Sequence, residues 1–217
     1  MKRTILFLSL MLLALGGCKF DSLSKTTGSG TMKLEKRNVP AFVAVDISGA
    51  YEVEVVVQKE QSLEIEGDDN LLPLIKTEVN NGVLEIKNDK SFSTKSKLRV
   101  RISVLDLDGV STSGASDIVV SGVKSDEFNV KASGAGSLKL SGEVKSLKLD
   151  TSGACEVDAK DMRAQIVSVD SSGASNLDVY ATEELLVDSS GAGNINYYGN
   201  PKKIDQNTSG AARITKK

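Results

Sequence analysis

The sequence has no histidine and no tryptophan, and only 4% of its 217 residues are aromatic. Histidine is the side chain that most often transfers protons near neutral pH and binds transition metals, so its absence disfavours many enzyme classes. Cysteine is also scarce, with Cys18 and Cys155 alone. Apolar residues make up 40% of the chain, which is enough to bury the core of one domain or two small ones.

The first eighteen residues are typical of a bacterial lipoprotein signal. Lys2 and Arg3 precede the apolar stretch TILFLSLMLLAL, which is too short for a stable membrane span. Residues 15–18, Leu-Gly-Gly-Cys, resemble the lipobox of bacterial lipoproteins, in which small residues precede a cysteine that is then acylated. We therefore expect a signal peptide over residues 1–17 and a lipid anchor on Cys18.

Residues 18–37 are predicted to be the lipidated cysteine and a flexible tether, because they are polar and lack a sustained apolar period. Lys19 stands where an aspartate would favour retention in the inner membrane, so we expect the outer membrane. Cleavage would remove two of the 27 basic residues and none of the 29 acidic ones, which leaves a net charge near −4. Nucleic acid is therefore not expected as a partner.

The tripeptide Ser-Gly-Ala recurs through the rest of the chain, and from its second copy the steps are 20, 19, 20, 18 and 19 residues. Such a period is typical of a solenoid. The copies begin at Ser48, Ser113, Ser133, Ser152, Ser172, Ser190 and Ser209. Apolar residues stand five and seven positions after most of these serines, and five and three positions before the next.

This alternation predicts two short strands in each repeat, with one face apolar and the other solvated. A repeat of about 19 residues is too short for a strand, a helix and a second strand. We therefore predict an all-β fold, a single-stranded parallel β-helix with coils of about 19 residues, over residues 38–217. Such a core is filled by valine, isoleucine and leucine, which fits the low aromatic content.

The glycine of each triplet is predicted to form a corner that needs a positive φ or a close approach between coils. The residue after each alanine is small from the second copy on. These residues are Ser116, Gly136, Cys155, Ser175, Gly193 and Ala212. Cys155 belongs to this column, and with no histidine to activate it we expect a corner residue rather than a nucleophile.

Residues 38–110 share the β character but break the period. TEVNNGVLEIK predicts a hairpin with a primed turn at Asn81-Gly82, and NLLPLI predicts one helical turn stopped by Pro73. The gap between Ser48 and Ser113 is expected to hold about three longer, irregular coils. The N-terminal part of the domain should thus be wide and the C-terminal part regular.

Residues 38–215 resemble the head GIN domain of the "putative auto-transporter adhesin" family. The resemblance lies in FVAVDISGAYEVEVVVQ, in GDDNLLPLIKTEVNNGVLEIKN, in the serial Ser-Gly-Ala coils and in YYGNP. It implies a right-handed β-helix on secreted or lipid-anchored proteins of Gram-negative bacteria, often Bacteroidetes. It also implies a role in adhesion, and it offers no catalytic residue or cofactor to carry over.

Two sets of surface residues are candidates for binding. Asp150, Asp170 and Asp188 should stack on successive coils, either as a ladder that binds calcium or as residues that cap the corners. Tyr180 and Tyr198 each lie eight residues past a serine and should be neighbours. Their rings could contact a sugar or a protein, or simply cover a corner.

Two further sets have alternative readings. Asp158 and Asp178 should stack, and paired carboxylates are what glycoside hydrolysis requires, but an open polar face favours a solvated exterior. Basic residues on a predicted strand could meet anionic polymers or guard an exposed sheet against mispairing. The basic residues are Lys95, Lys97, Arg99 and Arg101.

The sequence thus predicts a non-enzymatic, lipid-anchored binding head in the cell envelope, with an extracellular protein or polysaccharide as its target. An alternative is a carbohydrate-active enzyme, since β-helices also host lyases and hydrolases. Another is a periplasmic protein with a structural role in the envelope. An open last coil would also expose unpaired strand groups, so self-association through that end is a further expectation.

Overall fold

The computed structural model describes residues 25–217, which form seventeen β-strands and one short 3₁₀ helix, Leu72–Leu74. The predicted signal peptide and Cys18 lie outside the described residues. Within the described range no helix is long and apolar enough to cross a membrane. The strands are β1 (Thr26–Thr27), β2 (Met32–Lys36), β3 (Ala44–Gly49), β4 (Glu52–Val57), β5 (Ser62–Asp68), β6 (Ile75–Asn80), β7 (Val83–Asn88), β8 (Phe92–Ser93), β9 (Arg99–Val104), β10 (Gly109–Gly114), β11 (Asp117–Gly134), β12 (Ser137–Gly153), β13 (Glu156–Gly173), β14 (Asn176–Ser189), β15 (Asn194–Gly199), β16 (Lys203–Thr208) and β17 (Arg213–Lys216).

Strands β10 to β17 form stacked coils that pair in parallel. The Ser-Gly-Ala triplets are in register, so that Ser133 pairs with Ser113 on one side and with Ser152 on the other. Ser152 in turn pairs with Ser172. The all-β solenoid with coils of about 19 residues is therefore confirmed.

The interior positions predicted from the alternation are buried through most of the coils. Leu147, Val167, Leu177 and Leu185 are fully buried, and each contributes about 1.5–3 kcal/mol through burial. The last coil departs from this pattern, because Ile204 is 42% exposed. β16 pairs with β14 on one side, and no strand among residues 25–217 pairs with its other side. The predicted interior site at Ile204 is thus left open to solvent.

The corner at each triplet brings neighbouring coils close together. Gly134 has a φ of 121°, and a Cβ atom there would lie 2.3 Å from the carbonyl oxygen of Gly114 in the previous coil. Only glycine fits a backbone that is both left-handed and this close to another strand. The predicted role of the triplet glycines is confirmed at this corner.

The N-terminal part does not contain three coils between Ser48 and Ser113, as expected from the sequence. These two serines pair directly, because β3 and β10 are neighbouring parallel strands, and β4 likewise pairs with β11. The intervening residues pass to the other side of the coil formed by β3 and β4. There β7 pairs with β3, and β9 pairs with β4. The order in the stack is therefore β7 and β9 first, then β3 and β4, then β10 and β11, although β3 and β4 come first in the sequence.

Antiparallel strands extend the stack beyond β7 and β9. β6 and β7 form the predicted hairpin, with φ of 51° at Asn81 and 77° at Gly82, as a type I′ turn requires. β5 pairs antiparallel with β9, and β2 with β5. The predicted helical turn is a 3₁₀ helix, and Pro73 lies within it rather than stopping it, since the first helical turn needs no proline N–H.

Residues 26–36, which we expected to belong to the tether, pair with the domain. β1 pairs with β8, and β2 is an edge strand whose Met32 and Leu34 are 42% and 48% exposed. An edge strand bound through its backbone does not need an apolar face, and the alternation of Met32 and Leu34 with charged residues is too short to form a sustained period. The folded unit begins before residue 38.

A buried carboxylate holds this N-terminal segment in place. Asp68 has no exposed surface and accepts hydrogen bonds from the Gly30 N–H at 2.7 Å and from the hydroxyls of Thr94 and Ser96. The Thr94 hydroxyl is the main reason why the pKa of Asp68 lies below its usual range. A nearby side chain also contributes, because Asn70 donates to the Thr27 carbonyl at 2.8 Å. We call Asp68 and its three donors the N-terminal clamp.

Candidate functional site

The outward side chains of the last four coils form a polar face on the first half of each coil. The two short strands predicted for each repeat are joined into one continuous strand in β11 to β14. Strand pairing aligns these side chains in two rows that cross the coils. The first row is Glu156, Asn176, Asn194 and Arg213, and the second is Asp158, Asp178, Asn196 and Thr215. Together with Lys160 and Lys217, the rows line an open groove of about 640 Å³.

Hydrogen bonds within the rows fix the amide groups. Asn194 donates to the Asn176 side-chain oxygen at 3.0 Å, and Asn196 donates to the Asp178 carboxylate at 2.7 Å. Each bond uses only part of the capacity of these groups, because a carboxylate has about four lone-pair sites and an amide has two donors and an acceptor. The rows can therefore still bind a ligand that both donates and accepts hydrogen bonds.

Tyr180 and Tyr198 are direct neighbours on adjacent strands, as predicted. Both are half-buried, and by strand alternation each lies on the same side as the groove, two residues after Asp178 and Asn196 respectively. The Arg163 guanidinium lies 4.8 Å from the centre of the Tyr180 ring, a cation–π distance. Planar groups thus continue beside the two rows, and their contact with a ligand stays a prediction.

An irregularity in β13 shapes one edge of this face. Ala159 pairs with Val179, but the next residue of β14, Tyr180, pairs with Arg163, so residues 160–162 have no partner in β14. Lys160, at the start of this bulge, forms an ion pair with Asp158 at 2.7 Å, which raises the lysine pKa. Bulges often redirect side chains next to functional sites. Sequence periodicity did not reveal this bulge, although the coil step there is 20 residues, against 19 in the coil before it and 18 in the coil after it.

Asp158 and Asp178 are in register, as predicted. Asp158 is bound to Lys160, and Asp178 accepts a hydrogen bond from Asn196. Both lie half-exposed on an open face rather than in a cleft. This arrangement favours binding over acid–base chemistry on a glycosidic bond, where one carboxylic acid must donate a proton.

Asp150, Asp170 and Asp188 form the predicted row on the second half of the coils, and all three are exposed. Rungs about 4.8 Å apart place the first and third carboxylates too far apart to share an ion with ligand distances of about 2.4 Å. In the part of the chain that the structure describes, no three acidic, cysteine or histidine side chains are grouped to hold a metal. The row is therefore formed, and calcium binding by neighbouring carboxylates stays a prediction.

Three of the four residues of the basic strip, which ends on β9, form ion pairs with two glutamates of the neighbouring strands. Arg99 Nε lies 3.2 Å from Glu52, and Arg101 lies 3.4 Å from Glu66. Lys97 also pairs with Glu52. The alternating glutamates of YEVEVVV and LEIEG were the sequence signal for this pairing. Binding of anionic polymers by this strip stays a prediction.

Cys155 lies in the corner column where the sequence placed it. It is 4% exposed, and its sulfur lies 3.6 Å from the Ala132 carbonyl oxygen. Burial raises the pKa of the thiol. A buried thiol with a raised pKa carries little thiolate, so it is a poor nucleophile.

A family model described as "Putative auto-transporter adhesin, head GIN domain" matches residues 41–201. No protein in a search of curated sequences matches the chain.

Solved structures from other bacteria share the fold. A "putative adhesin" from Bacteroides fragilis is 23% identical and superposes with a TM-score of 0.71, with 88% of this chain and 99% of the other covered. A "putative adhesin" from Parabacteroides merdae is 17% identical, with a TM-score of 0.55 and coverage of 89% and 99%. A "putative lipid binding protein" from Parabacteroides distasonis is 19% identical, with a TM-score of 0.54 and coverage of 89% and 99%.

Proposed function

The chain belongs to the family described as "Putative auto-transporter adhesin, head GIN domain", and from this premise we propose that it is a lipid-anchored, non-catalytic binding head of the bacterial cell envelope. The observation that supports binding is the polar face, where rows of amide and carboxylate groups lie in register on four coils. Rigid stacked strands hold these groups in place before a ligand arrives, which lowers the entropy lost on binding.

Two observations support the absence of catalysis. The chain has no histidine, and the two stacked carboxylates of the polar face are already bound to Lys160 and Asn196. The alternative of a carbohydrate-active enzyme predicts cleavage of a polymer. Purified full-length protein should release no reducing ends from a panel of acidic and neutral polysaccharides, and release from any of them would establish the enzyme instead.

The anchor is proposed from the lipobox that ends at Cys18. The described fold begins at Lys25, so fully extended backbone between these residues spans at most about 25 Å. The head would therefore stay close to the membrane rather than extend far from it. Of the N-terminal clamp, Gly30 is the residue nearest to the proposed anchor along the chain.

Incorporation of labelled fatty acid in the native host tests the anchor. Wild type should be labelled and remain in the membrane fraction, whereas Cys18→Ser should be unlabelled and released. Cys155→Ser is the matched control, because it removes the other cysteine and should keep the label. Labelling of Cys18→Ser would contradict the proposed anchor.

Protease treatment of intact cells tests on which side of the outer membrane the head lies. A binding head that meets external targets should be cleaved or released from intact cells. A periplasmic protein with a structural role would be protected until the outer membrane is permeabilised. Such protection would contradict the proposed external binding and favour that alternative.

A further inference from the structure

We propose that the polar face binds a neutral polysaccharide, whose chain lies across the coils along the two rows. This inference rests on the proposed function and specifies its ligand class. Three properties of the face support it: its charge balance, its hydrogen-bonding groups and the aromatic groups beside it.

The charges of the groove cancel. Its lining contains three acidic and three basic side chains, which are Glu156, Asp158 and Asp178 against Lys160, Arg213 and Lys217. A polyanion or a polycation would meet as many like charges as opposite ones, and like charges across an interface oppose binding. The face therefore fits a ligand without net charge.

The amide groups favour a ligand with many hydroxyl groups. Asn176, Asn194 and Asn196 present donors and acceptors beside the Asp178 carboxylate, and a hydroxyl group can serve both. Four rungs about 4.8 Å apart give the rows a length of roughly 14 Å. Rows of this length offer polar groups at a regular spacing to a polymer that itself repeats.

Tyr180 and Tyr198 supply the apolar part of the contact. The C–H face of a sugar ring packs on an aromatic ring, and these two rings lie beside the second row. Arg163 packs against the Tyr180 ring at 4.8 Å and holds its orientation. A protein partner would favour a larger apolar centre, whereas Val157 is the one apolar residue that lines this groove within the described chain.

Surface plasmon resonance on the purified, lipidated full-length chain in detergent tests this inference. The probes are dextran, laminarin and a soluble neutral xylan, with heparin and polylysine as charged comparisons. We expect binding of at least one neutral polysaccharide and weaker binding of both charged polymers. Binding of the charged polymers alone, or of none of the probes, would overturn the inference.

Substitutions locate the binding to the polar face. Tyr198→Ala and Asn196→Ala should each weaken binding about tenfold, as expected for loss of an aromatic contact or a hydrogen bond. Asp170→Ala is the matched control, because it removes an exposed side chain from the second half of a coil, away from the polar face. Equal affinity of all three variants and wild type would overturn the inference, and unchanged circular dichroism excludes unfolding as the cause of any loss.

Failure of this inference is distinguishable from failure of the proposed function. The binding measurement uses purified protein and does not depend on the anchor or on the side of the membrane. Labelled fatty acid and protease treatment of cells do not depend on any polysaccharide. A chain that is lipidated and exposed but binds none of the neutral probes would retain the proposed function and lose the glycan assignment.

Discussion

The two parts of the domain use the same strands in different ways. From residue 109 onwards, each coil pairs in parallel with the coils that precede and follow it in sequence. Before residue 109, strands pair both parallel and antiparallel, and β7 and β9 lie on the far side of β3 and β4. The regular part repeats one surface several times, whereas the irregular part covers one end of the stack.

This difference separates two roles within one fold. Repetition aligns outward side chains in rows across successive coils, which suits a long binding face. The end of a solenoid must instead be covered, because an uncovered coil exposes core and unpaired strand groups. The N-terminal part does this with antiparallel strands and with ion pairs between Glu52, Glu66 and the basic residues of β9.

Truncation of an interior leucine should have the largest effect on stability. Leu177 is fully buried in the regular coils, so Leu177→Ala should lower the free energy of unfolding by about 2–5 kcal/mol. Ile204→Ala is the matched control from the exposed final coil, and it should cost less than about 1 kcal/mol. Urea unfolding monitored by circular dichroism measures both. Equal losses would show that β16 packs as tightly as β14.

Substitution of a corner glycine should have the next largest effect on stability. The loss should be larger in the regular part of the domain than in the irregular part. Gly134→Ala forces a Cβ atom against the Gly114 carbonyl oxygen at a positive φ, so a loss of about 3 kcal/mol or more is expected. Gly30 also has a positive φ, 81°, but a Cβ atom there would meet no other atom within 4 Å, so Gly30→Ala should cost only about 1–2 kcal/mol. Thermal unfolding measures the loss of stability in both variants. The difference between the two losses is the part caused by the close approach of the coils rather than by the positive φ. Equal losses would contradict the tight corner at Gly134.

The N-terminal clamp should give a smaller and pH-dependent effect. The pKa of Asp68 is lower in the folded state than in the unfolded state, where it is about 3.9. The contribution of Asp68 to the free energy of unfolding is therefore complete above the unfolded pKa and is lost as the pH falls through the folded pKa. Asp68→Asn should lower stability by about 1–2 kcal/mol at neutral pH and remove that part of the acid dependence. Hydrogen exchange at Gly30 should accelerate in the variant. Equal acid dependence of the free energy of unfolding in wild type and in Asp68→Asn would contradict this role.

Substitution of the buried cysteine should have the smallest effect. Serine or glycine occupies the same column in four other coils, at Ser116, Gly136, Ser175 and Gly193. Cys155→Ser should therefore change the free energy of unfolding by less than about 1 kcal/mol and leave binding unchanged. Chemical denaturation and the binding measurement check both statements. Loss of binding with retained folding would assign the thiol a function that the structure does not support.

The regular part was predictable because every coil repeats the same local pattern. Alternation placed Leu147 and Leu177 in the core, and the triplet spacing placed Gly134 at a corner. The stacked pairs Tyr180 with Tyr198 and Asp158 with Asp178 followed from the same counting. A periodic sequence carries the register of its own strands, so neighbours in space can be read from the spacing.

The irregular part was not predictable in the same way. The pairing of β7 with β3 reverses the order of coils in the stack, and no local pattern encodes which side of a coil a later strand takes. β2 is held by its backbone and by the clamp, and the short alternation of its exposed Met32 and Leu34 was too brief a signal to predict a strand. The bulge at residues 160–162 was missed because coil steps of 18 to 20 residues all fit a period of about 19.

Retention of intact bacteria on an immobilised neutral polysaccharide tests the central claim most directly, since it requires the anchor, the exposure and the polar face together. Cells with the wild-type chain or the Asp170→Ala control should be retained, and cells with the Asn196→Ala, Tyr198→Ala double variant at equal abundance should be washed away. Equal retention of all three, or retention of none, would contradict the claim that the regular coils present a glycan-binding face.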